Sequence, residues 1–292
     1  MKPPRFEYFS PDTLGEAISL LERYAGDGRV LAGGQSLIPL LNMRLARPAA
    51  LVDINKIAEL GAARAWDGGV SIGATVRQRA LQREPLITQR LPIVLAIAPH
   101  IGHQQIRSRG TICGSIAHAD PAAELPALAL AIGAEMVATG PRGRRTIAAA
   151  DFYRGYLTTA LEPAEMLTEV RFPGPPPAMA WSFMEVSRRH GDFALVGVIA
   201  GLGVDGGGGT VTEARIVHFG VGPNPKRASE AERTLVGAPP GADAFRAAGE
   251  AASQILEPET DVHATAEYRR SVAGALTRRA LHQAWDKLTG VA

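Results

Sequence analysis

The chain has 292 residues, room for about two domains, and its 46% hydrophobic and 21% charged residues exclude a disordered chain. With 31 Lys and Arg against 29 Asp and Glu the net charge is only +2. The densest basic group (Arg142, Arg144 and Arg145) is broken by Gly143 as at a hairpin tip, so nucleic acid is not an expected partner. One cysteine, Cys113, excludes an internal disulfide and an iron–sulfur cluster held by this chain's thiolates alone. Met1 to Phe6 carries no signal-like apolar run, and the longest apolar stretch, Ala194 to Val204, is too short for a transmembrane segment. The expected setting is the cytoplasm.

In chain order, Thr13 to Tyr24 places Leu14, Ala17, Ile18 and Leu21 on one helical stripe. Val30 to Ala32 reads as a short strand, Gly33 to Ser36 as a turn, and Leu37 to Leu45 as a helix with Ser36 as N-cap; Pro39 is tolerated in the first turn. Leu51 to Ile54 returns as a strand. Gly69 to Ala74 predicts a strand and Val76 to Gln82 a helix. From Gly102 to Leu128 the chain reads as turn-rich and then helical from about Ala122. Ala134 to Thr139 and Arg145 to Ile147 form a hairpin across Gly140 to Gly143. Pro173-Gly174-Pro175-Pro176-Pro177 marks a domain boundary. Strands follow around Trp181 to Val186, Leu195 to Val204 and Val211 to Phe219, with a long helix from Ala264 to Leu288. Strands first and helices afterwards predict an α+β arrangement rather than a doubly wound sheet.

Gly201-Leu202-Gly203-Val204-Asp205-Gly206 fits the dinucleotide spacing G-x-G-x-x-G. That fingerprint works only where the last glycine opens a helix. Here three more glycines and a β-favouring Thr210-Val211-Thr212 follow, so the match is a decoy in a hairpin. Ala32-Gly33-Gly34-Gln35-Ser36-Leu37 is more informative: paired glycines between a strand and a helix let N–H groups converge on a pyrophosphate. On local chemistry alone a tight turn capped by Ser36 fits equally well. Ile106 to Pro121 is crowded with small residues and offers Thr111, Ser115, His118 and Asp120 to a flat, polar-edged ligand, or to one another. His118 with Asp120, and His100 with His103, are each too few to predict a metal. Ser36 as a hydrolase nucleophile lacks the second glycine of the elbow, Ile38 standing there.

Together the two segments, with Lys2 to Phe6, Arg44 to Pro48, Ser187 to Ala194 and Tyr268 to Arg270, resemble the FAD-binding medium subunits of carbon monoxide dehydrogenase, xanthine dehydrogenase and related molybdenum hydroxylases. The resemblance runs over nearly the whole chain. It implies an α+β FAD-binding region like that of para-cresol methylhydroxylase over residues 1–174, with subdomains of about 1–57 and 58–174, and an α+β C-terminal domain over 178–292. The cofactor-binding positions it implies are Ala32, Gly33, Gly34, Gln35, Ser36 and Leu37 in a first loop. In the second they are Thr111, Cys113, Gly114 and Ser115, with His118, Asp120, Glu124 and Leu161 beyond. Arg188 to Phe193 falls where the C-terminal domain approaches the isoalloxazine. Cys113 replaces the usual glycine of a Gly-Gly pair, and Met184 stands where some relatives have a lysine, so no cationic role is carried over.

The implied role is electron relay with noncovalent FAD. Substrate is hydroxylated at molybdopterin on a large partner subunit. Iron–sulfur clusters on a small partner subunit pass electrons to FAD, in a dimer of heterotrimers. No general acid or base and no metal ligand is singled out. A stand-alone flavin oxidase of the same fold and a non-catalytic nucleotide-binding module remain the alternatives.

Overall fold

The computed structural model describes residues 2–24, 26–174, 176 and 178–290. Chain order first builds β1 (Glu7–Phe9), α1 (Leu14–Arg23), β2 (Gly28–Leu31), α2 (Leu37–Asn42) and β3 (Ala50–Asp53). The strands form a parallel sheet in the order β1-β3-β2. Thr13 starts α1 with a capping box: its hydroxyl accepts the Glu16 N–H, and the Glu16 carboxylate accepts the Thr13 N–H, each at 3.3 Å. The predicted stripe of Leu14, Ala17, Ile18 and Leu21 is the buried face. Ser36 is not the cap expected for α2. Its backbone is already helical and its side chain makes no cap bond. The helix stops at Asn42 rather than Leu45, because Arg44 adopts a left-handed φ of 60°.

The next segment contains β4 (Ala63–Trp66), β5 (Gly69–Gly73), α3 (Ala80–Arg83), α4 (Pro85–Arg90), α5 (Val94–Ile97), α6 (Gln104–Arg109), α7 (Ile112–His118) and α8 (Glu124–Ile132). It continues through β6 (Glu135–Gly140), β7 (Gly143–Ala148), α9 (Ala149–Phe152), β8 (Tyr153–Gly155), β9 (Thr158–Thr159) and β10 (Met166–Phe172). Five of these strands make an antiparallel sheet in the order β4-β5-β10-β6-β7. Its central strand, β10, is not among the predicted elements. The helix expected over Val76–Gln82 exists only from Ala80, because Val76 to Gln78 gives its backbone to residues 110–112 instead. The Gln78 N–H donates to the Gly110 carbonyl at 2.8 Å, and the Ile112 N–H donates to the Val76 carbonyl at 3.1 Å. The region expected to be turn-rich from Gly102 holds α6 and α7, with Thr111 capping the latter.

Pro175 and Pro177 of the predicted boundary lie outside the described residues. Beyond them come β11 (Met179–Ser187), β12 (Ala194–Val204), β13 (Val211–Phe219), β14 (Lys226–Arg227), α10 (Ser229–Leu235), α11 (Ala242–Gln254) and α12 (Ala266–Thr289). The strands form an antiparallel sheet in the order β11-β12-β13-β14. Alternation along β12 splits the two faces. Val196, Val198, Ala200 and Leu202 pack under the helices, while Ile199, with Phe183 and Phe219, joins the core of the preceding region. The third sheet is thus covered on both sides. His218 is wholly buried within it and bonds Thr277 of α12 at 2.7 Å.

Candidate functional site

The loop 32–36 leaves the C-terminal end of β2, and the second segment, 110–114, is the Gly110–Thr111 link from α6 together with the first turn of α7. They meet at Gly33: a Cβ there would lie 2.5 Å from the Arg109 carbonyl oxygen, 2.6 Å from Gly110 Cα and 2.9 Å from the Thr111 nitrogen. Only glycine permits that approach. Next to it Gly34 has φ +71°, a conformation that a side chain strains. A chain of hydrogen bonds ties the loops from behind. Asn55 donates to the Ala32 carbonyl at 2.8 Å, and Arg77 donates to Asn55 Oδ1 at 2.7 Å and to the Arg109 carbonyl at 2.8 Å. Gln35 folds back onto the Gly33 carbonyl at 3.0 Å.

This arrangement frees donors. Among the described residues no protein acceptor meets the N–H groups of Gly33, Gly34, Gln35, Ser36 or Leu37 in the first loop, nor those of Thr111 and Cys113 in the second. Converging unpaired N–H groups form a nest for an anion. The Thr111 hydroxyl is spent as the α7 cap, accepting the Gly114 N–H at 3.0 Å. The Cys113 side chain does not face the loops. It is buried and its thiol donates to the Ile72 carbonyl at 3.3 Å, while burial raises its pKa far above the ordinary range. Any contact Cys113 offers is through its backbone.

Ser115 and His118 follow on α7 and are partly exposed, the histidine held below its usual pKa by burial. Ala119 then reverses the chain at φ 54°. Asp120 accepts the Ala122 N–H at 2.9 Å, and the Pro121 carbonyl accepts the Gly220 N–H at 2.8 Å, which fastens this turn to the third sheet. Glu124 is buried at the start of α8. Burial pushes its carboxyl up to about 8, which favours the protonated form, able to donate as well as accept. Leu161, half-buried, follows β9 and packs against the main core.

Between Asp120–Ala122 and Tyr156 on one side and Arg188, Asp192 and Phe193 on the other lies a cleft of about 650 Å³. Phe193 is 61% exposed, an apolar ring left at its wall. Arg269, nearly buried, backs the cleft by donating to the carbonyls of Leu195 and Gly220 and to Asp261. A depression of about 710 Å³ beside α1 shares no residue with either loop.

Residues 4–175 match the model of the FAD binding domain in molybdopterin dehydrogenase, and residues 181–284 match that of the CO dehydrogenase flavoprotein C-terminal domain. The chain belongs to the FAD-binding medium-subunit family of the molybdenum hydroxylases. Among its relatives is the carbon monoxide dehydrogenase medium chain of Hydrogenophaga pseudoflava, 39% identical over 98% of this chain and 99% of that one. Another is the 6-hydroxypseudooxynicotine dehydrogenase complex subunit alpha of Paenarthrobacter nicotinovorans, 40% identical over 97% of this chain and 96% of that one. The fold superposes on carbon monoxide dehydrogenase from H. pseudoflava with a TM-score of 0.94 at 40% identity, covering 98% and 99% of the two chains. On quinoline 2-oxidoreductase from Pseudomonas putida 86 the TM-score is 0.93 at 38% identity, covering 99% of each.

The flavoprotein subunit therefore has its α+β fold and its FAD chemistry from one family. The nest at Gly33 fits such a dinucleotide: its row of unpaired N–H groups suits a pyrophosphate, and the cleft that starts at Asp120, which shares no residue with either loop, has room for a flat ring. Gly201 and Gly203, the decoy pair, lie inside β12, where a Cβ at Gly201 would meet the Trp181 ring at 2.9 Å. Their spacing of two is the spacing of one sheet face. His100 packs on Phe183 and His190, and among the described residues no three His, Cys, Asp or Glu side chains converge as a metal site. Asn55 and Arg77 are not singled out by the sequence, and Arg269 enters it only within the matched segment Tyr268 to Arg270, with no role attached. Each acts on backbone carbonyls far away in the chain, which leaves no local pattern.

Proposed function

We propose that this chain holds noncovalent FAD at Ala32 to Leu37, Thr111 to Ser115, His118, Asp120, Glu124 and Leu161, and relays electrons between protein partners. The packing of both glycine loops at Gly33 carries this reading, because it assembles one row of donors from segments about seventy residues apart. The loops would bind the pyrophosphate, with Cys113 contributing only its backbone. Glu124 would meet a polar group of the cofactor, and Phe193 would lie against the ring system. Bound FAD supplies the ability to take up electrons singly and release them in pairs.

The partners in this reading are a small iron–sulfur subunit and a large molybdopterin subunit, assembled as a dimer of heterotrimers. Relatives named carbon monoxide dehydrogenase medium chain, caffeine dehydrogenase subunit beta and nicotine 6-hydroxylase medium subunit support it. We divide the chain at 1–174 and 178–292, with subdomains of about 1–57 and 58–174; the two family matches and the separate sheets support that division. We place the complex in the cytoplasm, where a lone thiol such as Cys113 stays reduced. No described helix is long and apolar enough to cross a membrane.

The test is FAD occupancy in Gly33→Ala, with Gly203→Ala as control. A Cβ at Gly33 collides with backbone, whereas at Gly203 its nearest neighbour is 3.4 Å away. The first variant should lose nearly all flavin and the second should keep it. Acid precipitation of the wild-type chain should release the chromophore. Equal retention in both variants overturns the site, and flavin left on the denatured chain overturns the noncovalent assignment.

A further inference from the structure

The seam between the FAD-binding region and the third sheet holds titratable side chains that the relay itself does not use. Glu185 lies on β11 on the same side as Phe183, facing that region. Its side chain is 0% exposed, and among the described residues neither carboxyl oxygen has a hydrogen-bond partner. His100, just beyond α5, brings Nδ1 to 3.8 Å from Glu185 Oε1. That is close enough for charge coupling and slightly too far for a hydrogen bond. The His100 ring packs edge-on against Phe183 at 5.0 Å and against His190 at 5.4 Å. The next residue, Gly191, has φ +87°, and a Cβ there would lie 2.6 Å from His103 Nδ1 and 2.8 Å from the Gly102 carbonyl oxygen. The loop 188–193 is thus seated on the turn 100–103 by two adjoining contacts, and it carries Arg188, Asp192 and Phe193 into the cleft wall.

We propose that Glu185, His100 and His190 are positioning residues that seat the 188–193 loop as a wall of the cofactor cleft while Glu185 keeps its proton. The proposal rests on the reading that this cleft takes the flavin ring.

The electrostatics favour the uncharged form of both groups. Burial pushes Glu185 up to about 7, and burial together with His190 holds His100 below the ordinary histidine range. The groups that face Glu185 are His100 from the end of α5, Glu124 from α8 and the Ser187 hydroxyl on its own strand. His190 and Asp120 stand one group further out. With one proton the Glu185–His100 pair carries no net charge. Without it a buried carboxylate sits beside Glu124 and an uncharged imidazole, a state that burial disfavours. A carboxyl raised in the folded state seats the loop below its folded pKa and releases it as pH rises through about 7.

The full chain is titrated with FAD by fluorescence quenching, and in parallel cut briefly with trypsin, for which Arg188 and Arg189 are exposed targets. Between about pH 6 and about pH 8.5 the wild type should lose about three- to tenfold in FAD affinity. Cleavage at 188–189 should rise over the same range relative to cleavage elsewhere. Glu185→Gln should hold the tight, protected state at both ends, and His190→Ala the loose state at both. If Glu185→Gln does not fold, Glu185→Leu, which also removes the ionisable group, should flatten the profile in its place. A wild-type profile that does not change with pH overturns the proposal. So does a profile that persists in Glu185→Gln and vanishes in Glu124→Gln, which would assign the proton to Glu124. The trypsin arm reads the loop without FAD, so a site that fails the Gly33→Ala test leaves that arm still decisive.

Discussion

Glu124 shows what burial does to a single group. A carboxyl at the first position of a helix normally ionises easily because free N–H groups surround it. Here burial outweighs that help, with Glu185 and Asp120 adding like charge, and the pKa rises to about 8. The folded chain therefore binds more protons than the unfolded chain between the ordinary value of 4.5 and about 8. Its stability should fall as pH climbs through that window and level off above it. Glu124→Gln removes the slope. We expect the variant to match wild type near pH 5 and to exceed it at pH 9 by about 2 kcal/mol, since each tenfold change in proton affinity is worth about 1.4 kcal/mol and relaxation returns part of it. Urea unfolding of the FAD-free chain at the two pH values measures this; parallel curves for the two proteins would contradict it.

At the scale of elements, Arg269 is the tie that closes the C-terminal sheet under α12. From the first turn of that helix it reaches the ends of β12 and β13, donating to the Leu195 and Gly220 carbonyls, and it pairs with Asp261 at 2.8 Å. Arg269→Ala leaves two carbonyls without a donor behind the cleft. Unfolding of the C-terminal part should become easier by about 2–4 kcal/mol, with a weaker loss in Arg269→Lys. Thermal melts of the two variants should rank in that order, and unchanged melting would remove the tie from the account. The sequence shows α1, β12, β13 and α12 because each carries a clean period or a long run of one preference. It marks a helix from about Ala122 but not the limits of α8, which is buried from Leu125 to Ala129 on every side and so lacks a polar face to mark its period. Nothing in Val76 to Gln78 sets it apart from the helical residues that follow, but its hydrogen bonds are taken by residues 110–112. The same holds within the site. The two glycine segments are legible as motifs, yet their meeting at Gly33, and the Asn55–Arg77 bonds that hold it, exist only once the loop after β2 lies against the end of α6.

The whole molecule poses a problem of supply. Cys113 is the one thiol, and it is buried with its proton held to the Ile72 carbonyl. Among the described residues no cluster of metal-ligating side chains offers another redox station. In the relay reading, electrons must enter and leave the cleft through surfaces shared with other proteins. Ile106, beside the second loop, and Phe193, at the cleft wall, are both exposed apolar side chains flanking that region. Exposed apolar side chains in such a place suit a stable partner interface. Purification from the native host should therefore bring partner chains with this one, and charged replacements at Ile106 and Phe193 should weaken that association without unfolding the subunit. In the intact complex an organic substrate should bleach the flavin absorbance, whereas the separated, FAD-loaded chain should stay oxidised with the same substrate. Rapid bleaching of the separated chain would mean that it carries its own substrate site, and the reading would pass from relay to stand-alone oxidase.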